Sequence, residues 1–272
     1  MHGLGNDFVV IDDRAGEWRL GEAEARAIGD RRRGVGFDQL LILEKPASEN
    51  ADVFMRIRNP DGSEAGACGN GTRCVASIVI RESGRDHVRV ETIAGVLEAE
   101  AMPGGLVRVD MGPALLDWQD IPLLKPEDTL QLDITSGPLS NPVAVNMGNP
   151  HAVFFVDDAD QVDMKKWASP VETDPLFPHR TNVEVAHVMD REHIRMRVWE
   201  RGAGVTDACG SGACAALVAA HRRGLTERTA LVTLDGGDLQ IEWLEDGRVM
   251  MTGPVETSFS GRLGAELWRG AK

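Results

Sequence analysis

Ala67-Cys68-Gly69-Asn70-Gly71 and Ala208-Cys209-Gly210-Ser211-Gly212 are one short device written twice, 141 residues apart. Four further pairs keep the same order around it, at offsets of 140 to 143 residues: Leu4-Gly5-Asn6 with Met147-Gly148-Asn149, Met55-Arg56-Ile57 with Met196-Arg197-Val198, Gly84 with Gly224, and Gly112-Pro113 with Gly253-Pro254. One short match is chance; five collinear ones mark a duplication. The chain therefore reads as two copies of one fold joined near residues 113–130, where Pro113, Pro122 and Pro126 interrupt the periodicity. The expected division is an N-terminal lobe over 1–115 and a C-terminal lobe over 116–257, with the tail from about 258 to 272 returning to the first lobe.

Each copy mixes strand and helix. Apolar or alternating runs at Phe8–Ile11, Gln39–Leu43, Val53–Ile57, Val88–Thr92, Ala152–Val156, Ile194–Trp199 and Leu239–Trp243 predict strands. Helices are predicted over Thr72–Glu82 and Ala213–Arg223, each stopping before a glycine, Gly84 or Gly224. Both are apolar nearly all round, as Cys74-Val75-Ala76-Ser77-Ile78-Val79-Ile80 shows, and such a helix has to be surrounded. The expected fold is α/β in composition (α+β in layout), two pseudo-symmetric lobes, each a curved, mostly antiparallel sheet wrapped around one central helix. Glu22–Arg33 reads as an additional amphipathic surface helix.

Composition removes several function classes. The 272 residues carry 43 acidic and 29 basic side chains, a net charge of −14, which argues against nucleic acid or an anionic membrane as partner. No run of 18 apolar residues occurs and Met1-His2-Gly3-Leu4-Gly5-Asn6 lacks a basic leader, so a cytoplasmic protein is expected. There is no tyrosine, which excludes a phenolic acid or base, and the five lysines lie outside the glycine motifs, which argues against a pyridoxal Schiff base. Spacings of C-x5-C and C-x4-C among Cys68, Cys74, Cys209 and Cys214 do not fit zinc sites, and no H-E-x-x-H occurs, so no metal and no cofactor is expected. Gly210-Ser-Gly212-Ala-Cys-Ala215 fits G-x-G-x-x-A, but no strand leads into it and no acidic residue follows at the right distance for a dinucleotide.

The duplicated motif carries the chemistry. A helix N-terminus offers unpaired N–H groups backed by the positive end of the dipole, and glycine lets a ligand approach that backbone closely. The same setting favours thiolate. Related by a pseudo-twofold axis, Cys68 and Cys209 would flank one carboxylate-bearing carbon. That is an arrangement for moving an α-proton, one cysteine starting as thiolate and the other as thiol, the pair titrating as a unit. Racemisation or epimerisation without a cofactor follows. A non-catalytic small-anion binder would use the same glycines and needs no sulfur. A single cysteine at a helix start is more often a small buried residue; the repeat is what raises Cys68 and Cys209 above that. Cys74 and Cys214, inside the helices, read as core packing.

With these motifs the sequence resembles the diaminopimelate epimerase family over essentially its whole length. The resemblance rests on Met1-His2-Gly3-Leu4-Gly5-Asn6-Asp7-Phe8, Gly36-Phe37-Asp38-Gln39, Asn59-Pro60-Asp61-Gly62-Ser63-Glu64 and Met147-Gly148-Asn149-Pro150-His151. Arg180-Thr181-Asn182-Val183, Glu200-Arg201-Gly202-Ala203-Gly204 and the two cysteine motifs complete it. It implies a cofactor-independent epimerase interconverting LL- and meso-diaminopimelate, with Cys68 and Cys209 as the acid/base pair, Cys209 accepting and Cys68 donating in the LL-to-meso direction. It implies that Gly69, Asn70, Gly210 and Ser211 hold the reacting carboxylate. Asn6, Gln39, Asn59, Asn149, Asn182, Glu200 and Arg201 match substrate-contact positions, and His151 and Glu200 match positions that support activity.

Those residue types suit a diamino dicarboxylate: Arg201 for a distant carboxylate, the amides as donor and acceptor, Glu200 for an ammonium. Taken singly each has a plainer reading. Asn6, Asn59 and Asn149 sit at turns, Glu200-Arg201 resembles a surface ion pair, a lone His151 is an ordinary turn or core residue, and Asp38 and Asp61 cap or close turns. The chain starts a few residues later than family members usually do, so a shortened first strand is expected. The family's C-terminal tyrosine, associated with dimer packing, is Phe259 here, so the implied homodimer lacks that hydroxyl.

Overall fold

Strands that pair in parallel need a crossover between them, usually a helix, and two such pairings in each half of the chain decide where the helices lie. The computed structural model describes residues 1–18, 20–264 and 267. The chain divides into two compact units, Met1–Val109 with residues 253–264, and Asp110–Thr252; most of the expected tail beyond 264 lies outside the described residues. Among the described residues no helix is long and apolar enough to cross a membrane.

In the first unit the strands follow the order His2–Gly3, Asn6–Asp12, Gln39–Glu44, Val53–Arg58, His87–Thr92, Gly95–Met102 and Leu106–Pro113. Successive neighbours pair antiparallel, parallel, antiparallel, parallel, antiparallel and antiparallel. In the second unit Val143–Asn146, Pro150–Phe155, Asn182–Asp190, His193–Glu200, Thr229–Leu234, Gly237–Trp243 and Arg248–Gly253 repeat that series of pairings. Even the short extra strands correspond: Glu64–Ala65 lies on Val53–Arg58, and Gly204–Thr206 on His193–Glu200. Each sheet is mixed but mostly antiparallel, and the expected strands are all present with ends displaced by a residue or two.

The second crossover in each unit is the central helix, Gly69–Ser83 or Gly210–Arg222. Each packs against six strands of its own sheet, from the first hairpin strand to the sixth in order, so the sheet must curl around it. Ala213 through Ala220 are all fully buried, as an apolar helix with no polar face requires. Cys74 and Cys214 are buried within these helices, in keeping with a packing role.

Both helices begin three residues earlier than the sequence predicts, at Gly69 and Gly210 rather than Thr72 and Ala213. Glycine has a low helix propensity, so the sequence pattern hides this first turn. The surface helix is shorter than expected, Glu22–Gly29 rather than Glu22–Arg33. The Asp30 carboxylate accepts from the Arg32 and Arg33 amides, and the chain doubles back so that Val35 and Gly36 amides both reach Ile28 O at 2.9 Å. A Cβ on Gly34 would lie 2.2 Å from Ala27 O, so that return needs glycine. Ala25 and Ile28 of this helix pack on Leu40 and Ile42, which covers the outer face of the first sheet. In the second unit the proline-bearing stretch does the same: Ile121, Leu123, Leu132 and Ile134 are buried against Phe154, Val183 and Val185. Sheets covered on both faces carry near-continuous apolar strands, as Leu40–Leu43 shows.

Candidate active site

The early helix starts make Cys68 and Cys209 the N-cap residues, both in extended backbone conformation. An N-cap side chain faces the unpaired amides of the first turn. Cys68 uses this directly: Gly71 N donates to its Sγ at 3.3 Å, while Thr72 N and Oγ1 donate to its carbonyl. A Cβ on Gly71 would meet the Leu41 methyls at 3.1 and 3.2 Å and the Cys68 sulfur at 3.4 Å. All four cysteines are free thiols; Cys68 is partly exposed and the other three are buried.

In the first unit the amide side chains form two short runs of hydrogen bonds at one end of the sheet. Asn6 and Gln39 open parallel strands and Asn59 follows an antiparallel one, so all three lie at the same end. Asn70 Nδ2 donates to Asn6 Oδ1 at 3.3 Å, and Asn6 Nδ2 donates to Asp38 Oδ2 at 2.9 Å. Asp38, read from the sequence as a turn residue, thus fixes which way the Asn6 amide points. Gln39 Nε2 donates to Asn59 Oδ1 at 3.2 Å, and Asn59 Nδ2 to Ser63 Oγ at 3.0 Å. Gln39 Oε1 is buried with no hydrogen-bond partner among the described residues, an acceptor aimed at nothing in its own unit. Asp61 closes its turn by accepting from Ser63 N and Oγ.

The second unit holds a more charged version. Cys209 is 5% exposed, and its Sγ lies 3.6 Å from Ser211 Oγ. Burial pushes its thiol well above the ordinary range; the Glu200 and Glu184 carboxylates push the same way, against the Ser211 hydroxyl and the Gly212 amide. Glu200 ends its strand and accepts from Thr206 Oγ1. Burial raises its carboxyl too, with the Thr206 and Cys209 hydrogen bonds opposing. His151 is fully buried, Nδ1 lying 2.6 Å from Glu184 Oε1 and Nε2 2.9 Å from Asn149 Oδ1.

Asn182 and Arg201 are less free than the sequence suggests. Asn182 Nδ2 donates to Pro150 O at 3.1 Å, and its Oδ1 accepts from Arg201 N at 2.9 Å, so the side chain clasps the loop that carries Arg201. The Arg201 guanidinium is exposed and commits one N–H to His179 O at 3.1 Å. Glu200-Arg201 is not a surface ion pair, since Glu200 turns inward to Thr206 and Cys209. Among the described residues no three or more His, Cys, Asp or Glu side chains are grouped to hold a metal.

Glu184 and Thr206 were not singled out in the sequence. Glu184 left a signal: in a strand starting at Asn182, positions two apart share a face, so a glutamate in the apolar run Val183-Glu184-Val185-Ala186 points where Asn182 points. Thr206 left none, because only the hairpin between Glu200 and Gly204 brings it to Glu200.

The family model described as diaminopimelate epimerase matches residues 1–116 and 143–258, stretches that correspond to the two copies of the repeat. A diaminopimelate epimerase of Rhodospirillum centenum is 59% identical over 271 residues, covering 100% of this chain and 93% of its own. That of Gluconobacter oxydans is 54% identical over 261 residues, 96% of each chain. Among solved structures, a phenazine biosynthesis protein of the PhzF family from Bacillus anthracis aligns with a TM-score of 0.66 at 18% identity, over 93% of this chain and 92% of that one. A hydroxyproline epimerase from Agrobacterium vitis aligns with a TM-score of 0.64 at 17% identity, over 99% and 96%. At such identities the structural likeness speaks for the fold alone.

Proposed function

This chain belongs to the diaminopimelate epimerase family, and from that premise we propose that it interconverts LL- and meso-diaminopimelate, without a cofactor, by proton transfer between the α-carbon and the thiols of Cys68 and Cys209. The carrying observation is a cysteine at the N-cap position of the central helix in each copy, followed by a glycine-rich first turn of the kind that binds anions. In the LL-to-meso direction the Cys209 thiolate takes the α-hydrogen as a proton. The electron pair stays on the α-carbon and spreads into the carboxylate, and the Cys68 thiol returns a proton to the opposite face. One proton leaves and one arrives, so the reaction needs no oxidant and no co-substrate.

The amides at Gly69-Asn70 and Gly210-Ser211 hold the reacting carboxylate, and they bind it more tightly as charge develops, about 3–4 kcal/mol for one such donor. Burial and the nearby Glu200 and Glu184 carboxylates push the Cys209 thiol up, and Glu200 supports the proton transfer as the carboxylate beside that thiol. The asparagines Asn6, Asn59 and Asn149 and the unpartnered Gln39 oxygen meet the ammonium and carboxylate groups, and Arg201 takes the distal carboxylate. Asn182 contributes by holding the Arg201 backbone. We place the enzyme in the cytoplasm as a homodimer, with Phe259, 70% exposed, as an apolar group for the second copy to cover. Incubation with LL-diaminopimelate in D2O is expected to yield meso product carrying one deuterium at the inverted carbon. Absence of product, or product without label, sinks the reading.

A further inference from the structure

At one pair of equivalent positions the two copies bury side chains of opposite chemistry, apolar in one and ionisable in the other. In the first sheet Phe8 lies opposite Gln39, and Leu41 is two residues further along. In the second, the same register sets His151 opposite Asn182, with Glu184 two residues further along. Asn6 and Asn149 precede Phe8 and His151 by two residues in the repeated motif, so the correspondence is carried by both sequence and pairing. A Cβ on the third residue of each glycine motif meets the equivalent neighbour: Leu41 methyls at Gly71, Glu184 Oε1 at Gly212.

One copy thus fills these positions with a buried apolar pair, Phe8 and Leu41, and the other with a fully buried ionisable pair, His151 and Glu184. The fold accepts the apolar pair, and burying charges is costly unless they are fully paired. Here they are not: Glu184 Oε2 has no hydrogen-bond partner among the described residues. A pair that costs stability and that the fold does not require calls for another function.

We propose that Glu184 is a positioning residue of the epimerisation, acting through His151 to orient the side-chain amide of Asn149. The inference rests on the amino-acid epimerase reading above. Glu184 Oε1, at 2.6 Å, takes the Nδ1–H of His151 and turns Nε2 toward Asn149, 2.9 Å away. The carboxylate fixes the plane of the buried ring, and with it the direction in which Nε2 meets the Asn149 amide. A glutamine at 184 can offer Nδ1 a donor where the carboxylate offers only acceptors, which changes the tautomer presented at Nε2 and so the end of the Asn149 amide that pairs with it. The carboxylate therefore selects which end of the Asn149 amide is left for substrate. Its nearness also raises the Cys209 thiol and the Glu200 carboxyl, so it belongs electrostatically to the same site.

The test compares Glu184→Gln and the double replacement His151→Phe with Glu184→Leu, which installs the apolar pair of the first copy, each alone and with Asn149→Ala. Wild-type turnover of LL-diaminopimelate is measured first, since its absence refutes the epimerase reading and not this one. The double replacement is expected to keep or raise the thermal midpoint while KM rises about tenfold, with kcat changed less. The KM effect of either replacement is expected to vanish in the Asn149→Ala background, because both then act on an amide no longer present. In labelled protein the His151 Nδ1–H resonance, shifted downfield by the carboxylate, is expected to move upfield in Glu184→Gln. An unchanged KM, an effect of equal size without Asn149, or a change confined to kcat overturns the proposal. Failure of the double replacement to fold overturns its premise, that the pair is dispensable to the fold.

Discussion

Replacing Gly212 by alanine tests how tightly the Cys209 motif is built. The new Cβ would lie 2.8 Å from Glu184 Oε1, 3.3 Å from Cys209 Sγ and 3.4 Å from Cys209 Cβ. Ordinary contact begins near 3.4 Å, so Oε1 has to retreat by about 0.6 Å, as 3.4 − 2.8 shows. A surface glutamate would swing away at little cost, but this one is fully buried and held to His151 at 2.6 Å. Overpacking of this kind costs about 1–3 kcal/mol. The better helix propensity of alanine returns roughly 0.5–1 kcal/mol, leaving a net loss of up to about 2.5 kcal/mol. For a chain of this size that is a fall of up to about 10 °C in the thermal midpoint, read by calorimetry. Activity should suffer more, because displacement of a reacting group by a fraction of an ångström costs about tenfold or more in kcat/KM. Gly71→Ala, which meets rotatable Leu41 methyls, should be milder on both counts. The decisive control is a cycle with Glu184→Ala: if steric conflict with that carboxylate is the cause, most of the Gly212→Ala penalty disappears once it is gone. A penalty of undiminished size in that background would refute the reasoning.

Three further outcomes are expected. Cys68→Ala and Cys209→Ala should each abolish interconversion with the circular dichroism spectrum unchanged, and wild-type turnover in either removes the two-thiol chemistry. Iodoacetamide should alkylate Cys68 first, since it alone of the four is partly exposed and burial pushes the Cys74 thiol up to about 12; peptide mass spectrometry reads the order. Burial holds the folded-state carboxyl of Glu200 above its unfolded value, so the native state binds the extra proton and loses stability as pH rises from about 4.3 through the folded value. Glu200→Gln should therefore raise the thermal midpoint of the ligand-free protein at pH 7 to 8, by a margin that closes on acidification toward pH 4. A margin that grows on acidification contradicts the sign.

The amino-acid sequence by itself determined the duplication, the strand positions and the matched pair of cysteine motifs, because each is encoded locally. Five collinear matches need no structure to be seen, and a helix apolar on every face can only be a core helix. The family resemblance pointed to Asn6, Gln39 and Asn59, and the strand order sets all three at one end of the sheet. What stayed hidden depends on contacts that only the folded chain makes. The first helical turn at Gly69 and Gly210 is paid for by packing that glycine propensity does not reveal. Asp38 fixes Asn6 from 32 positions away, and Thr206 reaches Glu200 only through a hairpin. Asn182 and Arg201 look equally available in the sequence, yet the fold consumes one amide to hold the other's backbone. The asymmetry between Phe8 with Leu41 and His151 with Glu184 lies in equivalent registers of two parallel strand pairs. Charge buried in one copy and absent from the other is a property of three-dimensional register, which pairing between distant strands alone decides.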